Sequence, residues 1–286
     1  MKIAITGASG QLGKDIIKAT IAVTGKDQIV GIARNLSRVE DLGIDIRQAD
    51  YTDRLSYDSA LKGIDCLLLV SGMDAPDKRI DQHRNVIAAA KDNKVKKIVY
   101  TSVQGADTGT DFSPIIQSNR QTEKDIQESG IQWVIGRNGT YIEPDVLHID
   151  KYREAGEIAN SAGDGKCGYT TRPELAFAYA QLLTDVRHDG HIYNLHGDAI
   201  TQQQLTDYLN LAFETDLVYR AMCVEEYRND RVAEYGDFFG SIIAGIYQGI
   251  RNGHADNPSD FKTVTGRSHQ SWDEYFNQLK QRLTIQ

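Results

Sequence analysis

Residues 2–13 read KIAITGASGQLG. A short β-branched run, Lys2–Thr6, leads straight into Gly7, Gly10 and Gly13 at G-x-x-G-x-x-G spacing, and a helical stretch from Gln11 to about Val23 follows. In such an order Gly7 permits the tight turn, Gly10 lets the backbone approach a pyrophosphate, and Gly13 allows the helix to pack closely on the strand. The helix N-terminus then offers unpaired N–H groups and the positive end of its dipole to the anion. Glycines also gather in turns for steric reasons alone. A strand immediately before and a helix immediately after make this triplet a dinucleotide-binding loop.

Working outward, the chain repeats the same strand–helix alternation. Gln28–Ala33, Ile44–Gln48, Cys66–Ser71, Lys97–Ser102 and Gln132–Arg137 read as strands, with helices near Pro76–Asn93 and Arg120–Ser129. Apolar runs without strict alternation, separated by helices, mark parallel strands buried on both faces. The expected fold is therefore α/β, a Rossmann doubly wound parallel sheet. Residues 1–140 form its nucleotide-binding half. Residues 141–286 are expected to form a smaller, mostly helical lobe interleaved with it, through helices at Arg172–Leu183, Gln202–Phe213, Val224–Tyr235 and Trp272–Leu283. A strand near 191–195 returns to the sheet.

Composition narrows the function classes. The chain has 286 residues, 40% hydrophobic and 25% charged, enough to bury a sizeable core. A formal charge of −8, with no basic stripe interleaved with aromatics, argues against nucleic acid. The Ile3–Ile5 run is too short for a signal peptide, and no stretch approaches the roughly 18–20 apolar residues of a membrane span. Cys66, Cys167 and Cys223 match no metal spacing and suggest no disulfide. A soluble cytoplasmic protein, monomer or homodimer, is expected, with no metal and no membrane partner.

The strand ends add detail. About twenty residues past the glycines, where NAD-binding folds place an acid on the ribose 2′-hydroxyl, the chain reads Gly31-Ile32-Ala33-Arg34-Asn35. No acid is present, and Arg34 is, with Arg38 a turn later. A guanidinium pairs with a 2′-phosphate by charge and by a planar fork of donors, which points to NADP(H). Asp50, ending the third strand, can accept from the adenine amino group, and Tyr51 can cover the ring; a helix cap or a turn would use the same acid. Ser71 and Gly72 end the fourth strand at the sheet's switch point, where small residues let the backbone approach a nicotinamide ribose.

The strings TGASGQLG, IARN, QADY, QHRNVI (Gln82–Ile87), VYTS, QTEK (Gln121–Lys124), the Arg137–Tyr141 segment and AGDGK (Ala162–Lys166) resemble the NmrA-like atypical short-chain dehydrogenase/reductases. Among these the bacterial NADPH:quinone reductases and triphenylmethane dye reductases are the most similar. The resemblance implies that Ser9, Gln11 and Leu12 join the glycines on the pyrophosphate and Arg34 takes the 2′-phosphate. It implies that Asp50 lies near adenine, Ser71 and Gly72 near the nicotinamide ribose, and Asn138 to Tyr141 along the substrate cleft. The cofactor would be NADPH and the partner a small conjugated electrophile. The branch also includes NADP(H)-binding redox sensors that do not turn over.

One absence shapes the chemistry. Ordinary members of the superfamily use Tyr-x-x-x-Lys to donate a proton, yet none of Tyr51, Tyr57, Tyr100, Tyr141, Tyr152, Tyr169 and Tyr179 has a lysine four residues on. The expected segment reads Ser118-Asn119-Arg120-Gln121-Thr122-Glu123-Lys124, with Asn119 where the quinone-reductase pattern carries histidine. An alkoxide would find no obvious acid there; a quinone needs none during hydride transfer. His83 shares a helical face with Ile80, Ile87 and Ala90 and reads as a core histidine with a hydrogen-bonded nitrogen. Tyr141 is the candidate for the substrate cleft, and Ser102 stands where the superfamily's serine does.

Overall fold

The structure, a computed structural model, describes residues 1–39 and 42–285. From the N-terminus the chain runs β1 (Ile3–Thr6), α1 (Gln11–Thr24), β2 (Ile29–Ala33), β3 (Asp45–Gln48), α2 (Arg54–Ala60), β4 (Cys66–Val70), α3 (Pro76–Asp92), β5 (Lys97–Val103), α4 (Ser113–Gln127) and β6 (Gln132–Asn138). It continues through β7 (Thr140–Tyr141), α5 (Glu143–Leu147), α6 (Ile149–Ala155), β8 (Glu157–Asn160), β9 (Lys166–Thr170), α7 (Arg172–Thr184), β10 (Ile192–Leu195) and β11 (Ala199–Thr201). The last stretch is α8 (Gln202–Phe213), β12 (Val218–Ala221), α9 (Val224–Arg251), α10 (Phe261–Thr265) and α11 (Trp272–Ile285).

Seven strands form one parallel sheet in the order β10-β6-β5-β4-β1-β2-β3. Side chains alternate across a strand, so both faces of the central strands must be apolar. In β4, Cys66 and Leu68 join Ile16 and Ile17 of α1 and Leu175 and Tyr179 of α7 in one layer. Leu67 and Leu69 join Tyr57 of α2, Val86 of α3 and Ile126 of α4 in the other. The sheet is thereby covered on both sides, as the uninterrupted apolar runs required. After β3 the chain crosses back over β1 to lay down β4, so the strand order reverses between them. That reversal opens a crevice at the carboxyl ends of β1 and β4, the usual ligand position in an open α/β sheet.

The C-terminal half contributes both to one helical layer and to the sheet itself: α7 packs on α1 and β10 pairs with β6. It is less purely helical than the sequence suggests. Three strands, β11-β9-β7, form a second small sheet, and β12 pairs with β8 in a third. Two helices also extend beyond the expected bounds. α4 starts at Ser113, with Pro114 in its first turn, a position that tolerates a missing N–H. α9 does not stop near Tyr235: Gly236, at φ +79°, breaks it, and a second helical segment continues to Arg251. That segment proves to matter most for the site.

Candidate active site

The glycine loop closes on itself at the end of β1. Gly7 adopts φ +66°, a conformation that costs other L-residues energy, and its carbonyl accepts from the Gly10 N–H at 2.8 Å. The Ala8 N–H ties the loop to β2 through the Ile32 carbonyl at 3.0 Å. A Cβ on Gly13 would stand 2.2 Å from the Gly7 oxygen, so only glycine lets α1 begin this close to the strand. Gly10 is the N-cap of α1 and no side chain caps that helix. The N–H groups of its first turn therefore face the cleft beside Ser9, Gln11 and Leu12, all of which line it. A dinucleotide pyrophosphate fits this cradle, which supplies the donors and dipole that such an anion requires.

At the neighbouring strand ends, Arg34 is largely exposed, with its Nε 3.9 Å from an Asp50 oxygen. Asp50 accepts from the Thr52 backbone N–H at 2.9 Å and the Thr52 hydroxyl at 2.8 Å. The Thr52 backbone bond, with help from Arg34, holds its carboxyl below the usual range against the opposing effect of burial. Asp50 is thus a turn acid, and the cap of α2 is Asp53. Tyr51 is held from behind by its hydroxyl. Its hydroxyl points into the sheet, 2.6 Å from both Thr6 Oγ1 and the Val70 carbonyl, and its ring stacks on Tyr57 and meets His83 edge-on.

Ser71 and Gly72 line the cleft and are fixed from behind. The Ser71 N–H donates to Thr101 Oγ1 at 2.9 Å, and the Gly72 N–H donates to His83 Nε2 at 3.0 Å. Accepting at Nε2 leaves the His83 proton on Nδ1, which donates to Thr122 Oγ1 at 2.9 Å; the Thr122 hydroxyl passes on to the Ser118 carbonyl. Burial, with Arg79 nearby, pushes the His83 pKa down to about 3, so it stays neutral. The core histidine expected from its helical face is therefore also the brace of the Gly72 peptide.

The segment lacking the Tyr-x-x-x-Lys pair places Asn119 and Glu123 four residues apart on α4. Asn119 Oδ1 accepts from the Tyr100 hydroxyl at 2.7 Å, and its amide donates to the Ile115 carbonyl at 2.9 Å. Buried Glu123 accepts from the Ser102 hydroxyl at 2.6 Å, from Arg120 at 2.6 Å and from Arg137 through a fork at 2.6 and 3.0 Å. Burial pushes its carboxyl up, but Arg137, Arg120 and Ser102 together bring it below the ordinary value. Asn138 accepts from the Tyr179 hydroxyl at 2.6 Å. Tyr141 lines the cleft with the Arg172 guanidinium 5.2 Å over its ring, and burial raises its pKa. Neither residue of the α4 pair can give up a proton.

The cleft itself measures about 600 Å³ and runs from the glycine loop past Ser71, Gly72, Asn138 and Tyr141 to a wall on the second segment of α9. Phe238, Phe239, Ile242 and Ile246 form that wall. Sequence reading stopped one residue short of the break and missed them. The spacing 238, 239, 242, 246, 250 was the available signal, an apolar stripe at helical period beginning after a glycine.

Comparison with known proteins agrees with this geometry. An NAD(P)H-binding family model matches residues 7–185, from the glycine loop to the end of α7. Quinone oxidoreductase 2 of Escherichia coli is 42% identical over 202 residues, 69% of each chain. An NmrA-like family domain-containing oxidoreductase of Aspergillus flavus is 30% identical over 257 residues, 85% of this chain and 83% of that one. The crystal structure of Citrobacter sp. triphenylmethane reductase complexed with NADP(H) superposes with a TM-score of 0.89 at 32% identity, covering 98% of this chain and all of that one. The chain belongs to the NAD(P)H-binding family, in its NmrA-like branch, and is an NAD(P)H-dependent oxidoreductase.

Proposed function

We propose that this protein is an NADPH-dependent reductase that passes hydride to a flat, conjugated electrophile of the quinone type. The observation that carries the reading is the continuity of one apolar cleft from the glycine cradle to the Phe238–Phe239 wall, with no proton donor on α4. Bound in the cradle, the reduced nicotinamide supplies the hydride. The chain's own residues hold and orient. The uncapped start of α1 takes the pyrophosphate and Arg34 the 2′-phosphate. Ser71 and Gly72, braced by Thr101 and His83, border the sugar beyond them. Phe238, Phe239 and Ile242 offer a flat acceptor an apolar, water-excluding surface opposite Tyr141. Catalysis by positioning suits such an acceptor: its reduced oxygen is a stabilised phenolate that takes its proton from water. Three cysteines without disulfides suit a reducing compartment, and the cytoplasm is the proposed site of action. A monomer or a homodimer is the proposed assembly.

Oxidation of NADPH, followed with a panel of quinones, azo compounds and enones, tests the proposal. Turnover should appear only with an acceptor, and deuterium at nicotinamide C4 should leave the cofactor. If no acceptor accelerates oxidation while NADP⁺ and NADPH bind with different affinities, the protein is a redox sensor instead.

A further inference from the structure

Among the described residues lining the cleft, Arg79 is the one side chain with a permanent charge; no Asp or Glu lines it. Arg79 is 4% exposed. Its guanidinium donates to the Gly72 carbonyl at 3.1 Å, the Ile115 carbonyl at 2.9 Å and the Ser118 hydroxyl, all neutral acceptors, and its Nε has no partner. The acids of adjoining segments are engaged elsewhere, Asp74 with Gln82 and Glu123 with Arg120 and Arg137. A buried cation is costly unless an anion pairs with it, and a guanidinium does not escape by losing its proton. Low-dielectric walls carry its field into the cleft with little screening.

We propose that Arg79 is the electrostatic partner of the negative charge that reduction places on the acceptor, and that it selects neutral and anionic acceptors over cationic ones. The proposal rests on the reductase reading for its substrate and names the class that the site takes. Hydride transfer breaks the donor C–H bond and forms a bond from that hydrogen to the acceptor. The dinucleotide is oxidised by two electrons, and a neutral quinone is reduced by two to its hydroquinone monoanion. A proton from water then completes the hydroquinone. Arg79 stabilises the monoanion and the charge building toward it. A cationic dye ends neutral after the same transfer and leaves Arg79 nothing to pair with.

A phenol reporter tests this without turnover. 4-Nitrophenol is titrated spectroscopically in the presence of excess full-length protein, first without nucleotide and then with NADP⁺. Wild-type protein should bind the phenolate about tenfold more tightly than the phenol, lowering the reporter's apparent pKa by about one unit. Arg79→Lys should keep most of that shift and Arg79→Met should abolish it, with NADP⁺ affinity unchanged in both; Arg79→Gln replaces the methionine variant if that one fails to fold. In turnover with NADPH, the kcat/KM ratio of a sulfonated naphthoquinone to a cationic dye should fall about tenfold in the neutral variant. Equal wild-type affinity for phenol and phenolate overturns the proposal whatever the variants do. So does a full shift in the folded neutral variant, or a loss of NADP⁺ affinity that places the charge on the cofactor. Phenolate preference without turnover of any acceptor would sink the reductase reading and leave the anion site standing.

Discussion

Adding one methyl group at Gly13 strikes the cradle where it is tightest. An alanine Cβ there would lie 2.2 Å from the Gly7 oxygen, 2.8 Å from the Gly7 carbonyl carbon and 3.3 Å from the Ala8 nitrogen. Ordinary contacts between such atoms begin about 1 Å farther out, so α1 or the Gly7 turn must move by about that much. The two are held together by backbone atoms, which have no rotamer to give. Overpacking of this kind costs about 1–3 kcal/mol. The displaced turn also carries the N–H groups aimed at the pyrophosphate, and a misplacement of about 1 Å at a positioning site can cost about 10²-fold. Gly13→Ala should therefore lower stability by about 1–3 kcal/mol in urea unfolding without ligand, and weaken NADPH binding at least tenfold by fluorescence titration. Gly10→Ala separates the two effects. Its Cβ would meet the Gly7 oxygen at 3.2 Å with no positive φ to strain it, so stability should hold while affinity falls, because the methyl stands where the ligand must approach. Gly13→Ala with wild-type stability and a Kd within twofold would refute the cradle.

Arg34→Ala should remove most of any preference for NADPH over NADH, roughly tenfold for an exposed charge-assisted contact; competitive titration with both nucleotides measures it, and a wild type that binds both equally ends the assignment. Tyr141→Phe keeps the ring and its contact with Arg172, so single-turnover NADPH oxidation should slow far less than the roughly 10²–10⁴-fold contributed by a general acid. A thousandfold loss would identify its hydroxyl as the missing donor. Asp145, buried with its carboxylate accepting from the Tyr152 hydroxyl at 2.8 Å, is pushed up by burial to about 6. Its folded form holds a proton that the unfolded chain has already released, so stability should fall by about 3 kcal/mol as pH rises from about 4 to 6, and Asp145→Asn should flatten that slope in urea titrations.

The doubly wound sheet was legible because its strands are buried on both faces. In β1, Ile3 and Ile5 serve one layer and Ala4 the other, so no polar residue interrupts the run, and the glycine loop sits at a position set by local geometry. The small sheets were not legible. β8 pairs with β12 some sixty residues downstream, from Val218↔Glu157 to Ala221↔Asn160, and a four-residue strand with polar ends, Glu157 and Asn160, carries no local signature of such a partner. Tyr51 shows another limit: only the position of Thr6 and Val70 reveals where its hydroxyl goes. The helix expected over Val224–Tyr235 breaks at Gly236 and resumes, and the phenylalanines that close the cleft lie on the resumed segment.

The absence of the Tyr-x-x-x-Lys pair was also legible, but what occupies that segment's place was not. In the segment where the superfamily's tyrosine and lysine are expected, Asn119 accepts from Tyr100 and Glu123 pairs with Arg120 and Arg137, so both side chains serve structure. A lysine at Glu123's position would face two arginines and add a third cation to a buried cluster; a carboxylate there balances it. The cluster in turn fixes Ser102, whose hydroxyl donates to Glu123 and accepts from Arg120, leaving it no freedom to act on a substrate. The site does hold a positive charge, on Arg79 of α3, whose hydrogen-bond acceptors are all neutral. An enzyme that must protonate its product needs an acid at hydrogen-bond distance. One whose product is a stable anion needs only a positive field, and a field tolerates acceptors of varied shape because it does not depend on the alignment of a single O–H bond.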